Sequence, residues 1–176
     1  MATKAKFTKT EVKTITKKIQ EVVEKARREN KHELFRGLSE EDIARKLERV
    51  NSPMIVGLGW SPTTPGNDEN VTINVFNPDP TAASDLYLHV WVGSGNVDPN
   101  NGTFLLNVDA RFPRLSKPGP FGFTLAAGGN TSLAFALRVP ATAERTVYMG
   151  TACLMRISYH DVGQYLDRAC FPFVVA

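Results

Sequence analysis

The side chains that could carry chemistry are few and lie far apart along the chain. None of the three histidines, His32, His89 and His160, stands at metal-ligand spacing from another ligating residue. Residues 93–95 (Gly-Ser-Gly) lack the flanking pattern of a nucleophile elbow. Residues 98–102 have neither the spacing nor the final glutamate of a calcium loop, and no glycine-rich phosphate loop is present. We therefore expect no catalytic residues, no metal, no cofactor, and a protein that is not an enzyme.

The two cysteines, Cys153 and Cys170, fall in the last two predicted strands. A turn near residues 162–163 places them about two residues out of direct register, so a cross-strand bridge is possible but not required. Residues 1–18 include basic residues but no apolar segment typical of a secretion signal. We therefore expect a cytoplasmic protein with two reduced thiols rather than a disulfide, and leave open release by a leaderless route. No apolar run reaches the length of about 18 residues that predicts a membrane span.

The composition of the chain changes near residue 51. Residues 1–50 hold 14 of the 21 Lys and Arg and 9 of the 18 Asp and Glu, whereas the remaining 126 residues hold 7 basic and 9 acidic side chains. The first proline is Pro53, and glycine is almost absent before it. We interpret residues 1–51 as a basic helical arm and residues 52–176 as a separate domain.

Two amphipathic helices are predicted in the arm. The first runs from about Thr10 to Asn30, capped by Thr8 or Thr10, and the second begins at Ser39, where Leu38 and Ile43 can form a hydrophobic staple. Residues 32–36 are expected to form a short helical turn that ends at Gly37. The first helix carries apolar residues at spacings of 3, 4, 3 and 4, which is typical of a heptad seam. This seam consists of Val12, Ile15, Ile19, Val22 and Ala26.

Three partners for the seam remain open. It could pack on the rest of the same chain, or it could bind a second copy or another protein, because three heptads are short for a free coiled coil. Contact of the basic face with nucleic acid or an anionic membrane is the third alternative. Carboxylates are interspersed among the Lys and Arg side chains, so we do not expect nucleic acid as a partner.

From Ser52 onward the apolar period changes to two, which indicates β-strands. Runs rich in Val, Ile, Phe and Thr alternate with Pro, Gly, Asn and Asp clusters, and no helix pattern lies between them. The fold class is therefore mainly β, a seven-stranded antiparallel sandwich preceded by the two helices. The predicted strands are Met54–Trp60, Val71–Phe76, Leu86–Val92, Thr103–Ala110, Thr131–Val139, Val147–Ser158 and Ala169–Val175.

The order of these signals resembles bacterial immunoglobulin-like modules, including the cell-adhesion-related type. The matching segments are residues 70–92 (NVTINVFNPDPTAASDLYLHVWV), 128–140 (GGNTSLAFALRVP) and 147–159 (VYMGTACLMRISY). In such modules a strand that ends in Asn-Pro precedes an extended strand. A Gly-rich turn, a strand ending in Val-Pro and a long strand with an early Tyr follow. The resemblance covers about two thirds of the chain and implies an immunoglobulin-like sandwich.

Three residues with ring side chains alternate with the core residues of the third predicted strand. They are Tyr87, His89 and Trp91. They would form an aromatic stripe on the outer face of a sheet. The N-terminal helix or a loop could cover it, a second subunit could bury it, or a carbohydrate could stack on it. We expect a non-enzymatic structural or interaction protein that assembles with itself or a partner through the seam and this stripe. The alternative is a carbohydrate- or ligand-binding sandwich module.

Overall fold

The computed structural model describes residues 7–93, 115–117, 122–158 and 161–176. Over these residues the chain forms two helices and nine strands. The helices are α1 (Lys9–Glu29) and α2 (Glu40–Arg49). The strands are β1 (Leu34–Gly37), β2 (Met54–Trp60), β3 (Asp68–Phe76), β4 (Ala83–Gly93), β5 (Leu115–Lys117), β6 (Phe123–Leu125), β7 (Asn130–Arg138), β8 (Val147–Ser158) and β9 (Asp161–Val174).

The strands form two sheets of antiparallel neighbours. The first sheet has the order β1-β2-β3-β7. The second has the order β5-β4-β8-β9, and β6 also pairs with β4. Apolar side chains from both sheets form one buried cluster, so the sheets pack face to face as a sandwich. The mainly β class is therefore confirmed, but the described residues form nine strands where the sequence predicted seven.

The core rows follow the two-residue alternation of the strands. Val71, Ile73 and Val75 of β3 face the row of Leu86, Leu88, Val90 and Val92 of β4 across the sandwich, and all seven are buried. Phe135 and Leu137 of β7 and Phe171 and Phe173 of β9 complete the same cluster. Strands β2 and β8 have the predicted bounds, while β3, β4 and β9 extend further toward their N-termini. The predicted strand Thr103–Ala110 lies outside the described residues.

Both helices begin as the sequence predicts. Thr8 caps α1 in a capping box: its hydroxyl accepts from the Glu11 backbone N–H, and the Glu11 carboxylate accepts from the Thr8 N–H at 2.6 Å. Hydrogen bonds to the Glu11 carboxylate from the Thr8 backbone N–H and, secondarily, from the Thr8 side chain lower the pKa of Glu11. Ser39 caps α2 by accepting from the backbone N–H of Asp42. The caps satisfy donors that the first helical turn leaves without an intrahelical partner.

The two helices form a third layer on the outer face of the first sheet. A second apolar cluster joins them to β2 and the end of β3, and its buried members are Ile19, Val23, Ile43, Leu47, Met54, Val56 and Phe76. Hence β2 is buried on both faces, with Ile55 and Leu58 in the sandwich core and Met54 and Val56 beneath the helices. Ile19 of the seam is thus buried on its own chain, whereas Val12, Ile15 and Val22 are only partly buried against the same cluster.

The helical turn expected at residues 32–36 is wrong. Residues Leu34–Gly37 form β1, which pairs with Gly57–Trp60 of β2. Without β1, the β2 edge of the first sheet would present unpaired backbone groups, and pairing there outweighs a weak local helical preference. The segment between the helices therefore belongs to the sheet.

Asp167 of β9 links the helical layer to both sheets. Its Oδ2 atom accepts from Lys46 Nζ of α2 at 2.7 Å and from the backbone N–H of Ile55 in β2 at 2.8 Å. The side chains of Lys46 and Asp167 are largely buried. A charge-assisted pair with a second donor holds α2, β2 and β9 together at one side of the sandwich.

Candidate ligand-binding site

A groove runs along α1 on the outer face of the first sheet. The helices cover β1 and β2, and the outward side chains of β3 and β7 form the floor beside α1. Three adjoining hollows of about 450, 370 and 370 Å³ follow the helix from its C-terminal to its N-terminal end. We call the first the polar cleft and the last the apolar end.

The floor of the polar cleft carries small amide and hydroxyl side chains, with Phe35, Gly59 and Ala134 beside them. Asn70, Thr72 and Asn74 alternate with the core row of β3, and therefore point away from the sandwich interior. Ser132 of β7 lies opposite Asn74, and the Asn74 amide donates a hydrogen bond to its hydroxyl. These groups both donate and accept hydrogen bonds and carry no net charge.

His32 closes the polar cleft at the C-terminal end of α1. Its Nε2 lies 2.9 Å from Thr72 Oγ1, and its Nδ1 lies 3.5 Å from Glu69 Oε1. Asn30, the C-cap of α1, fixes the loop by accepting from the His32 backbone N–H and donating to the His32 carbonyl. The side chains of His32 and Glu69 are each only 14% exposed. The helix end thus positions an imidazole directly above the β3 hydroxyl.

Burial raises the pKa of Glu69 above its ordinary value. Loss of solvation is the largest cause, and the backbone N–H of Ser61, which donates to Glu69 Oε1 at 3.1 Å, opposes it together with His32. A carboxylate in this position accepts hydrogen bonds and cannot donate one. It therefore orients the imidazole that it contacts.

Gly59 permits the close approach of this loop to the sheet. A Cβ atom at Gly59 would lie 3.0 Å from His32 Cδ2 and would also collide with Asn30 Oδ1. Any larger residue would push the loop away from β2. The glycine in β2 is therefore part of the site even though it has no side chain to offer.

The rim of the groove carries charges of both signs. The side chains of α1 that line it include Lys18, Glu21, Lys25 and Glu29, and Lys25 pairs with Glu29 at 3.9 Å. Lys31 lies beside the polar cleft. Charges that alternate in this way produce little net field, so they favour a neutral ligand over a polyanion.

The apolar end lies near the start of α1. Phe7 and Ile15 face Phe76, Pro78 and Pro80 across this hollow. Phe7 and Ile15 are only partly buried, although both pack against the second cluster. The groove therefore combines a cleft with an uncharged polar floor and an apolar surface along one helix.

The structure places the predicted seam partly inside the chain and partly in this groove. Ile19 is completely buried on the side of α1 that faces the sheet, and Val12 packs against the same apolar cluster. Ile15, Val22 and Ala26 line the groove. The buried face is centred on Ile19 and Val23, because a helix on a flat sheet contacts it along a broader stripe than a coiled-coil seam.

The aromatic stripe is less exposed than the strand pattern suggested. Trp91 is only 4% exposed, and Tyr87 and His89 are half-buried. Gly122 lies against the Tyr87 ring, since a Cβ built there would be 3.0 Å from Tyr87 Cε2. The α1 groove is on the other sheet, so the stripe and the seam do not form one surface. Residue His160 lies outside the described residues.

Cys153 and Cys170 lie on neighbouring strands and are not joined by a disulfide. Cys170 pairs in register with Thr151, two residues from Cys153, as the turn position predicted. The Cys153 sulfur contacts the Tyr165 hydroxyl. Burial raises the pKa of the Cys170 thiol, so it is less prone to ionise.

Sequence reasoning missed the polar cleft. His32 lies 37 residues from Glu69 and 40 from Thr72 along the chain, so no local motif joins them. The signal that could have indicated it is the polar row opposite the core row of β3, which includes Asn70, Thr72 and Asn74. A row of that kind is typical of any solvated sheet face.

Comparison with known proteins supports the fold. No protein-family model matches the sequence, and no curated protein matches it. The C-terminal domain of wzt superimposes with a TM-score of 0.53 at 11% identity, covering 81% of this chain and 77% of that chain. Such likeness shows the fold alone, a β-sandwich like that of immunoglobulin-like domains, and it shows no family for this chain.

Two further structures are more distant. The CARDB domain of a Pyrococcus furiosus protein gives a TM-score of 0.41 at 13% identity, covering 71% of this chain and 86% of that chain. The PapD-like domain of human CEP192 gives 0.36 at 16% identity, covering 73% and 84%. Both scores are below 0.5, and we draw no conclusion from them.

Two kinds of feature are absent from the described residues. No group of three or more His, Cys, Asp or Glu side chains could hold a metal ion there. In the same part of the chain, neither helix has the length and apolar character needed to cross a bilayer.

Proposed function

We propose that this protein is a non-enzymatic ligand-binding β-sandwich module whose polar cleft takes a neutral, hydroxyl-rich ligand such as a carbohydrate. The observation that carries the proposal is the floor of Asn70, Thr72, Asn74 and Ser132 under an oriented imidazole. Amide and hydroxyl groups match sugar hydroxyls, because both partners donate and accept. The cleft volume of about 450 Å³ accommodates a small ligand of this class.

The arrangement of Thr72, His32 and Glu69 also resembles a nucleophile, base and carboxylate set. Thr72 lies within β3, which pairs with β2 on one side and β7 on the other. The backbone N–H groups beside Thr72 therefore serve the sheet ladders, and they are not available to stabilise an oxyanion. This supports binding rather than acyl transfer.

The proposal is tested by presenting the full chain to a glycan array beside its Thr72→Val and Thr124→Val variants. Thr124 is exposed on β6 of the other sheet and serves as the matched control. We expect binding by the wild type and by Thr124→Val, and a loss with Thr72→Val while thermal unfolding remains cooperative. No bound glycan, or equal binding by all three proteins, would count against the proposal.

An esterase assay tests the non-enzymatic part. We expect the wild type and Thr72→Val to hydrolyse p-nitrophenyl acetate at the same background rate. A rate that depends on Thr72 and His32 would instead assign a catalytic role to the cleft.

The apolar end favours a second candidate, contact with a protein partner or a second copy. Phe7 and Ile15 remain partly exposed beside Pro78 and Pro80, and surfaces of this kind often serve association. Light scattering over a concentration series is expected to show a mass above the monomer that falls in Ile15→Lys but not in Glu24→Lys. A monomer at every concentration would exclude self-association.

A further inference from the structure

The contacts of His32 determine its tautomer, and through it the direction of the Thr72 hydroxyl at the floor of the polar cleft. A neutral imidazole carries one N–H, and the other nitrogen accepts. Glu69 Oε1 faces Nδ1 at 3.5 Å, and an ionised carboxylate can only accept. The Nδ1–H tautomer is therefore favoured, and Nε2 is left as an acceptor.

The Thr72 hydroxyl then completes a short relay. Because Nε2 accepts, the Thr72 hydroxyl donates its proton to His32 across the 2.9 Å contact. The oxygen of Thr72 has lone pairs remaining, and Thr72 lines the cleft. A ligand at this point meets a hydrogen-bond acceptor.

Protonation of His32 reverses the relay. Both imidazole nitrogens then donate, so Nε2–H donates to Thr72 Oγ1. The Thr72 hydroxyl keeps its proton but no longer donates it to His32. That proton is free to point into the cleft, and a ligand there meets a donor. The other charged groups near His32 are Glu29 of α1 and the flanking Lys31 and Glu33, in addition to Glu69 of β3.

We propose that His32 and Thr72 together set the hydrogen-bond polarity of the polar cleft, so that the site selects a ligand hydroxyl donor while His32 is neutral and admits an acceptor-only ligand once His32 is protonated. This inference rests on the proposed function, since it concerns the ligand of the same cleft. It makes Thr72 and His32 specificity-determining residues. The ligand hydroxyl above Thr72 must be unsubstituted, because an ether oxygen at that position would meet another acceptor.

The relay is tested without a ligand by long-range ¹⁵N–¹H NMR of the full chain. At about pH 8 we expect the Nδ1–H tautomer of His32. Glu69→Gln is expected to mix the tautomers, while Glu33→Gln serves as the matched control, because Glu33 flanks His32 with no ion pair to it among those described. A dominant Nε2–H tautomer in the wild type would overturn the inference.

The readout by ligand uses two small probes, 1,2-ethanediol and 1,2-dimethoxyethane. We expect the diol to shift the Thr72 and His32 signals at about pH 8 and about pH 5, and the diether to bind about 2- to 10-fold more tightly at the lower pH, the value of one hydrogen bond. Thr72→Val is expected to abolish this pH dependence. Equal diether binding at both pH values would overturn the specificity role.

The two experiments separate the proposals. If neither probe perturbs the cleft at either pH, the ligand-binding function fails, whereas the NMR tautomer still decides the relay. If the diol binds but the tautomer is Nε2–H, the binding function stands and the polarity inference fails.

Discussion

Replacing Ile19 by alanine is expected to lower the free energy of unfolding by about 3 kcal/mol. Ile19 is a residue of α1 and is fully buried against α2 and β2. The substitution removes three carbon groups, worth roughly 0.8 kcal/mol each in transfer from water, and the rigid sheet below leaves part of the cavity unfilled. At about 2–4 °C per kcal/mol for a chain of this size, the melting temperature should fall by about 6–12 °C.

Urea unfolding followed by circular dichroism measures this change, with the same dependence on denaturant expected for both proteins. Lys17→Ala is the matched control, because Lys17 is exposed on the same helix. It should shift stability by less than about 0.5 kcal/mol. If Ile19→Ala is as stable as this control, α1 does not pack on the sheet in solution, and the groove that depends on it is not present.

Three other perturbations test the site and its support. Gly59→Ala should displace His32 and weaken ligand binding in the array, because the new methyl group meets the Asn30–His32 loop. Asp167→Ala should cost about 3–5 kcal/mol in urea unfolding, since Lys46 and the Ile55 N–H lose their acceptor. For Glu69, whose pKa burial raises, ionisation opposes folding, so the wild type should lose stability relative to Glu69→Gln as pH rises from about 4 to 6. If the difference in unfolding free energy between the wild type and Glu69→Gln stays constant over that pH range, the prediction for Glu69 is wrong.

Much of the fold could be predicted because buried positions recur in the sequence as apolar residues at regular spacing. Alternating residues of β3, β4, β7 and β9 face one core, and the caps at Thr8 and Ser39 are local signals that only neighbouring residues need to satisfy. The position of the helices was not determined in this way. A Val and Ile seam is equally apolar whether it meets its own sheet or another chain, and only the docked structure distinguishes them.

The site was beyond prediction for a different reason. β1 is a strand because β2 lies next to it, and residues Leu34–Gly37 carry little β signal of their own. His32 obtains its partners only once that pairing places it over β3. His32, which no sequence motif marks, therefore contacts Thr72 and Glu69 only in the folded chain.

The strand between the helices has a consequence for how the molecule opens. Since β1 is paired in the first sheet while α1 and α2 pack above it, residues 9–49 are not free to detach as a flexible tail. Releasing either helix strains the other through the strand, so amide protons of α1, β1 and α2 should exchange together in one foldon. Such a unit would assemble and dismantle the cleft in a single step, which makes the site all-or-none rather than gradually deformable.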